Sequence, residues 1–265
     1  QYQFYKPQKM NFMPRIGLAY RVTDKTVVRA GYGIYYNIHQ LNNFTILNLN
    51  PPLSGSSNFN NNLSNGAVTP GSTVFSFANP FGSLNPASLI SANALNSDNF
   101  LPAVNQWSLD IQRRLPAEMV LTVGYVGSKT SNLDNTVELN SPDPAFNTVT
   151  STLQGRRQIP FIIDDGVTRP LSRLRWLDNG GNSWYQGLQV SLQKRMSKGL
   201  LFTVAYTYSK TLIEGYGRNE GDGFNANTYQ NPRDRAAEKG RVGWDARQNM
   251  VANFVYEIPI AASWN

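Results

Sequence analysis

Cysteine is absent from all 265 residues, and histidine occurs once, at His39. The first absence removes disulfide staples and thiolate chemistry, and is compatible with a cell-envelope location without indicating one. With one histidine, a His/Cys zinc site lacks its donors and a Ser-His-Asp arrangement has only His39 to use. His39 opens a long polar stretch, where a surface loop histidine is expected. Long apolar runs are missing too: no stretch of about eighteen apolar residues exists, so no transmembrane helix is expected. That exclusion does not reach transmembrane β-barrels, whose strands carry apolar residues only at alternate positions. The opening QYQFYKPQKMNF has neither a basic n-region nor an apolar h-region.

Charge is sparse, at 15 % of residues, with a net +7. A basic balance raises nucleic acid as a partner. Here the cations are spread out instead, with Arg21 and Lys25, Arg113 and Arg114, and Lys194, Arg195 and Lys198 each beside a tight turn. Cations at strand ends snorkel to a membrane interface or solvate the turn, so no nucleic-acid partner is expected.

What the sequence does have is alternation. From Trp184 to Leu192 one parity carries Trp184, Leu188, Val190 and Leu192, and the other Tyr185, Gly187, Gln189 and Ser191. After an Arg195–Gly199 turn, Phe202, Val204, Tyr206 and Tyr208 oppose Thr203, Ala205, Thr207 and Ser209. Period two with one apolar and one polar face is a strand, and the pair is a hairpin near 184–210 with arms of about ten residues, enough for a tilted strand to cross a bilayer. The alternation alone also fits a two-layer sandwich with one solvated face.

Two further hairpins share the design. Near 11–36, Leu18, Tyr20, Tyr32 and Ile34 align against Arg15 and Arg29. Near 104–128, Trp107, Leu109, Ile111, Val123 and Tyr125 align against Asp110 and Arg114. A last strand near 244–257 sets Phe254 and Tyr256 against Arg247, with Asp245 just ahead. Stretches 37–103, 129–182 and 211–243 lack sustained period and read as long loops. About seven strands result, joined alternately by tight turns and long connections. That rhythm favours an antiparallel transmembrane β-barrel, with short periplasmic turns and long extracellular loops, over a sandwich. An odd strand number and the missing leader make the chain read as a fragment of a larger barrel.

The runs MPRIGLAYRVTDKTVVRAGYGIYYN, LPAVNQWSLDIQRRLPAEMVLTVGYVGSK and NSWYQGLQVSLQKRMSKGLLFTVAYTYSK, with the weaker WDARQNMVANFVYEIP, resemble the barrel of Oar-like TonB-dependent outer-membrane transporters. The likeness covers the strand pairs and short turns, not the three long loops. It implies a parent barrel of about 22 strands with a plug. It also implies a bacterial outer-membrane location, and contact with the energy-coupling protein TonB through a region ahead of this one. The implied role is energised uptake of a substrate whose class stays open; a non-transporting adhesin acting through its surface loops is the alternative.

On the barrel reading the candidate lumen-facing charges are Arg15, Arg29, Asp110, Arg114, Asp245 and Arg247. Candidate lipid-facing residues are Leu18, Tyr20, Tyr32, Ile34, Trp107, Leu109, Ile111, Val123, Tyr125, Leu188, Val190, Leu192, Phe202, Val204, Tyr206, Tyr208, Phe254 and Tyr256. Lumen charges pair with one another or a plug, and tune selectivity as a substrate passes. Neither Glu214, Glu220 and Asp222 nor Asp164–Asp165 has the spacing of a calcium loop. Tyr216, Phe224 and Tyr229 are loop aromatics able to stack on a ligand. No catalytic residue, metal or cofactor is expected, and the chain does not read as an enzyme.

Overall fold

Alternation becomes sheet wherever it is regular. A computed structural model describes residues 6, 8–39, 45–50, 63–64, 67–68, 90–98, 100–142, 154–164, 166–214, 229 and 231–258. Seven strands carry the alternating segments: β1 (Arg15–Thr23), β2 (Thr26–Tyr36), β6 (Ala103–Leu115), β7 (Met119–Glu138), β9 (Val167–Ser197), β10 (Leu200–Glu214) and β12 (Gln248–Tyr256). Five short strands lie between them: β3 (Leu63–Ser64), β4 (Ala67–Val68), β5 (Ile90–Leu95), β8 (Phe161–Asp164) and β11 (Gly240–Arg241). Ten of these twelve form one sheet, ordered β1-β2-β6-β7-β9-β10-β11, with β12 also on β10 and β5 and β8 on β9; β3 and β4 pair separately. No described helix is long and apolar enough to cross a membrane.

The chain divides into two units. The first comprises Gln1–His39, Ser97–Asn135 and Asp178–Asn265. Its antiparallel register carries each apolar face across to the next strand: Tyr20↔Val28, Tyr32↔Trp107, Leu109↔Tyr125, Tyr206↔Val190 and Phe202↔Phe254 are direct partners. A one-residue slip anywhere would turn a whole strand over, so this agreement locks the register.

The hairpin turns gather at one edge. Arg114 N donates to Lys25 O, Arg195 N to Glu118 O, and Glu257 N to Gly199 O, at 2.8, 3.1 and 2.7 Å. Positive φ at consecutive residues shapes two of these turns, Ala117 (59°) with Glu118 (57°) and Lys198 (52°) with Gly199 (72°). Paired left-handed residues match the right-handed twist of the arms they join. At position 199 a Cβ would stand only 3.0 Å from Glu257 O, so glycine serves both the turn and the neighbouring strand end.

This unit has almost no apolar interior. Among its described hydrophobic residues only Tyr229 and Val242 are buried, whereas Ile16, Leu18, Tyr20, Met250 and Phe254 are each more than 60 % exposed. An apolar face this large and open needs an apolar partner or solvent.

The second unit comprises Gln40–Asn96 and Thr136–Leu177. Here β5 lies parallel to β9, with Ala92↔Leu174 and Leu95↔Leu177, while β8 pairs antiparallel with the start of β9. Asn140, wholly buried, knits it together. Its side-chain amide donates to Ile159 O at 2.9 Å and Leu171 O at 3.1 Å, and its Oδ1 accepts from Ile159 N at 2.9 Å. Glu138 Oε1 accepts from the backbone of Asn140 and Leu174, giving a half-buried carboxylate two donors.

The stretch 129–182 is therefore not the loop its sequence suggested. Strand β7 runs ten residues past Ser128 to Glu138, and β9 begins at Val167, seventeen before Trp184. The reason is visible in LSRLRWLDNGGN: Leu171, Arg173, Arg175 and Leu177 share one parity and Ser172, Leu174, Trp176 and Asp178 the other. Both faces are mixed, so these extensions show no apolar side even though their backbone is paired. Likewise 37–103 contains β5 and 211–243 contains β11. The loop phenylalanines Phe75, Phe77 and Phe81, with Tyr216, Glu220, Asp222, Phe224 and Asp165, lie outside the described residues.

Candidate functional site

The polar face of the first unit is the surface on which chemistry could be arranged. Along β1, β2, β6 and β7 it is built from Gly17, Gly31, Gly33, Gln106, Ser108, Asp110, Gly124 and Ser128, brought level by the pairs Gly17↔Gly31, Gly31↔Ser108, Arg29↔Asp110 and Asp110↔Gly124. Four of the six charges expected there share it. Arg29 Nη1 donates to Gln112 Oε1 at 3.1 Å, so its guanidinium is held by the neighbouring amide. The Asp110 carboxylate leans over Gly124, where any Cβ would collide with it. Arg15 stacks on the ring of Tyr35 at 4.7 Å, and that ring in turn lies 3.0 Å from where a Gly33 Cβ would stand. Arg114, exposed, completes the set at the turn edge.

The remaining two go elsewhere. Asp245 and Arg247 precede β12 and belong to no strand. Asp245 Oδ1 accepts from Thr211 N at 3.0 Å, fixing the end of β10. Arg247 lies 5.9 Å from the ring of Tyr208, a residue of the apolar parity.

Between these groups the face is hollow. A depression of about 680 Å³ is lined by Arg15, Tyr35, Gln106, Ser108, Ser128 and Tyr185, among others. Its floor is low because glycines remove side chains where the tyrosines fold over, Tyr35 over Gly33 and Tyr185 over Gly187. The opposite face repeats the device once: the Trp107 indole covers Gly127, its direct partner.

At the loop edge one ionic contact is buried on both sides. His39 Nδ1 meets Asp134 Oδ1 at 2.8 Å, with side chains 12 and 10 % exposed. The expected surface loop histidine is thus tucked against a carboxylate 95 residues away. Arg235 Nη1 donates to Asp178 Oδ2 at 2.5 Å and its guanidinium lies 5.3 Å from the Tyr229 ring. Burial pushes the Tyr229 phenol pKa above its ordinary value, with the nearby Arg235 guanidinium opposing. Lys239 covers the Trp184 ring at 3.7 Å, and Glu214 Oε2 accepts from Asn182 at 2.7 Å. Among the described residues no group of three His, Cys, Asp or Glu is placed to hold a metal ion. The 229–241 clamp escaped sequence reading because Asp178 and Arg235 stand 57 residues apart.

With these two faces in place, a family model described as an outer membrane beta barrel domain matches residues 1–264. The chain belongs to that family. As an outer-membrane barrel domain it has a bacterial outer-membrane location, and its all-β sheet is open, as a portion of a barrel is. A search of curated proteins gave no match. Among solved structures the barrel domain is similar to the outer membrane transporter YddB from Escherichia coli (10 % identity, 72 % of this chain and 18 % of that one, TM-score 0.42). It is also similar to the FrpB iron transporter from Neisseria meningitidis (10 %, 95 % and 25 %, 0.43) and the siderophore receptor PirA from Acinetobacter baumannii (12 %, 92 % and 34 %, 0.38). The barrel domain thus spans 18 to 34 % of the length of these structures.

Proposed function

We propose that this barrel domain is part of the wall of a TonB-dependent, Oar-like transporter carrying out energised uptake across the outer membrane. In this reading the apolar face meets lipid through Leu18, Tyr20, Tyr32, Ile34, Trp107, Leu109, Ile111, Val123, Tyr125, Leu188, Val190, Leu192, Phe202, Val204, Tyr206, Tyr208, Phe254 and Tyr256. The polar face, with Arg15, Arg29, Asp110 and Arg114, lines the lumen.

One observation carries the reading: the polar face is emptied rather than filled. A small closed barrel packs its interior with side chains, whereas a wide one keeps room for water, cargo or a plug. Gly17, Gly31 and Gly33, with Gln106, Ser108 and Ser128 beside them, line a hollow in a polar wall. Lumen charges on such a wall tune what passes along it.

The test is uptake by the full-length protein with and without the TonB-contacting segment ahead of the plug. Transport that stops on deleting the segment supports the reading. Surface binding without uptake in either form would instead make the protein an adhesin. Within the wall, Arg15→Gln is expected to change the rate for anionic cargo several-fold while leaving neutral cargo unaffected.

A further inference from the structure

Charge is handled oppositely at the two edges of the first unit. Every ion pair recorded among the described residues lies away from the hairpin turns: Lys6 with Asp98, His39 with Asp134, and Arg235 with Asp178. The turn edge carries Arg21, Lys25, Arg113, Arg114, Lys194, Arg195 and Lys198 against only Asp24, Glu118 and Glu257. Among the described residues none of those seven cations makes an ion pair. All but Lys194 are exposed.

Two of the seven stand on the apolar face itself. Arg113 shares its side of β6 with Leu109 and Ile111 and is paired with Leu121. Lys194 shares its side of β9 with Val190 and Leu192 and is paired with Phe202. The Arg195–Glu118 backbone bond sets β9 beside the start of β7, so these two cations flank the turn-end of one strand. Lys194 Nζ contacts the turn carbonyls of Ala117 and Ser197 at 3.4 and 3.2 Å, which holds the ammonium at the level where apolar side chains give way to turn. Lys25 and Lys198 extend the row within the turns themselves.

From this we infer that the turn edge is a docking surface for anionic phospholipid headgroups, with Arg113 and Lys194 as its outward anchors. The inference rests on the apolar face being lipid-facing. A cation one alternate position below a lipid-facing leucine or isoleucine sits at headgroup depth, where phosphate is the anion at hand. Phosphatidylglycerol adds net charge that a zwitterionic lipid lacks, and each basic residue near such a surface gains about fivefold in affinity for it. Arg113 offers a planar fork for bidentate phosphate contact, while Lys194 offers a point charge.

The experiment places the full-length protein in nanodiscs of phosphatidylcholine with phosphatidylglycerol at about a third of the lipid. Lipid that stays bound on release is then counted by native mass spectrometry. Wild type is expected to enrich phosphatidylglycerol several-fold over the mixing ratio, with the enrichment falling at high salt. Arg113→Gln with Lys194→Gln is expected to bring it close to the mixing ratio, and Lys25→Gln with Lys198→Gly to lower it by a smaller factor. Should the first pair fail to fold, the second carries the test. The loop variant Arg233→Gln, outside every strand, should leave it unchanged. A protein that enters nanodiscs with no enrichment, or with enrichment equal in wild type and both turn variants, overturns the inference alone. One that stays soluble without lipid or detergent overturns the lipid-facing reading beneath it.

Discussion

At the hairpin edge of the first unit the backbone does the holding, through left-handed turns and strand-to-strand hydrogen bonds, and the side chains are left open to their surroundings. At its loop edge the reverse holds: Asp178, Asn179, Asn135 and Tyr229 are buried, and ion pairs tie residues tens of positions apart. The difference follows from the solvent each edge must satisfy. Backbone within a bilayer has to be paired in the sheet, because no water is there to bond it. Beyond the bilayer a long connection can be wetted, so an ordered loop has to be held by specific side-chain contacts. Lys239 on Trp184 and Arg235 on Asp178 are such contacts.

The comparison breaks first, and hardest, across the two faces. Leu109→Arg puts a charge midway along the apolar face of β6 and is expected to lower unfolding free energy in lipid by about 2–4 kcal/mol. Gln106→Arg, three residues away on the polar face, should change it by less than ~1 kcal/mol. Denaturant titration of both variants in vesicles checks this, and equal losses would mean that the faces are not lipid and lumen.

Next in size is the loop-edge clamp. Asp178→Ala leaves the Arg235 guanidinium without its carboxylate; since Arg235 is 40 % exposed, water repays part of the loss, and about 1–3 kcal/mol is expected. Limited proteolysis should then cut within 229–241 sooner, with the β6–β7 hairpin as protected as before. Gly180→Val approaches the same result from the other side, since a Cβ there would collide with Arg235 Nη1 and stand 2.9 Å from Asp178 Oδ2. A third variant probes the apolar face by shape alone: Gly127→Val displaces the Trp107 indole and should cost about 1–3 kcal/mol, with a shift in tryptophan emission.

The smallest effect is alkaline. Tyr229 is held neutral by burial, with a folded pKa above the ordinary phenol value. Its contribution is thus complete below the unfolded pKa of about 10 and is lost as pH rises through the raised folded value. Proteolysis at 229–241 should speed up above that range in wild type, and Tyr229→Phe should flatten this limb.

Much of the first unit was legible because a bilayer imposes a rule that a sequence can display: one face apolar, period two. The apolar parities recur on one side across β1, β2, β6 and β7, and again on one side across β9, β10 and β12, register by register. Where that rule lapses, so does legibility. Arg173, Leu174, Arg175 and Trp176 pair as strand although both parities are mixed, and Ala92 and Asn93 pair with them in parallel, which a reading by hairpins does not anticipate. Asp245 and Arg247 have the parity of a lumen wall but fall before their strand starts, and His39 found Asp134 through folding rather than proximity in sequence. In the polar hollow Gly17, Gly31 and Gly33 share one face, but Tyr35 and Tyr185 folding onto Gly33 and Gly187 had no sequence signature.

The sheet order has a directional consequence. β1 and β12, the outermost of the long strands, both travel from the loop edge toward the turns. Two borders pointing the same way cannot zip onto each other head-to-tail, and rotating a second copy about the membrane normal leaves that sense unchanged. Antiparallel closure of this wall therefore calls for an odd complement of intervening strands, and like copies sharing one bilayer face each other only with borders of equal polarity.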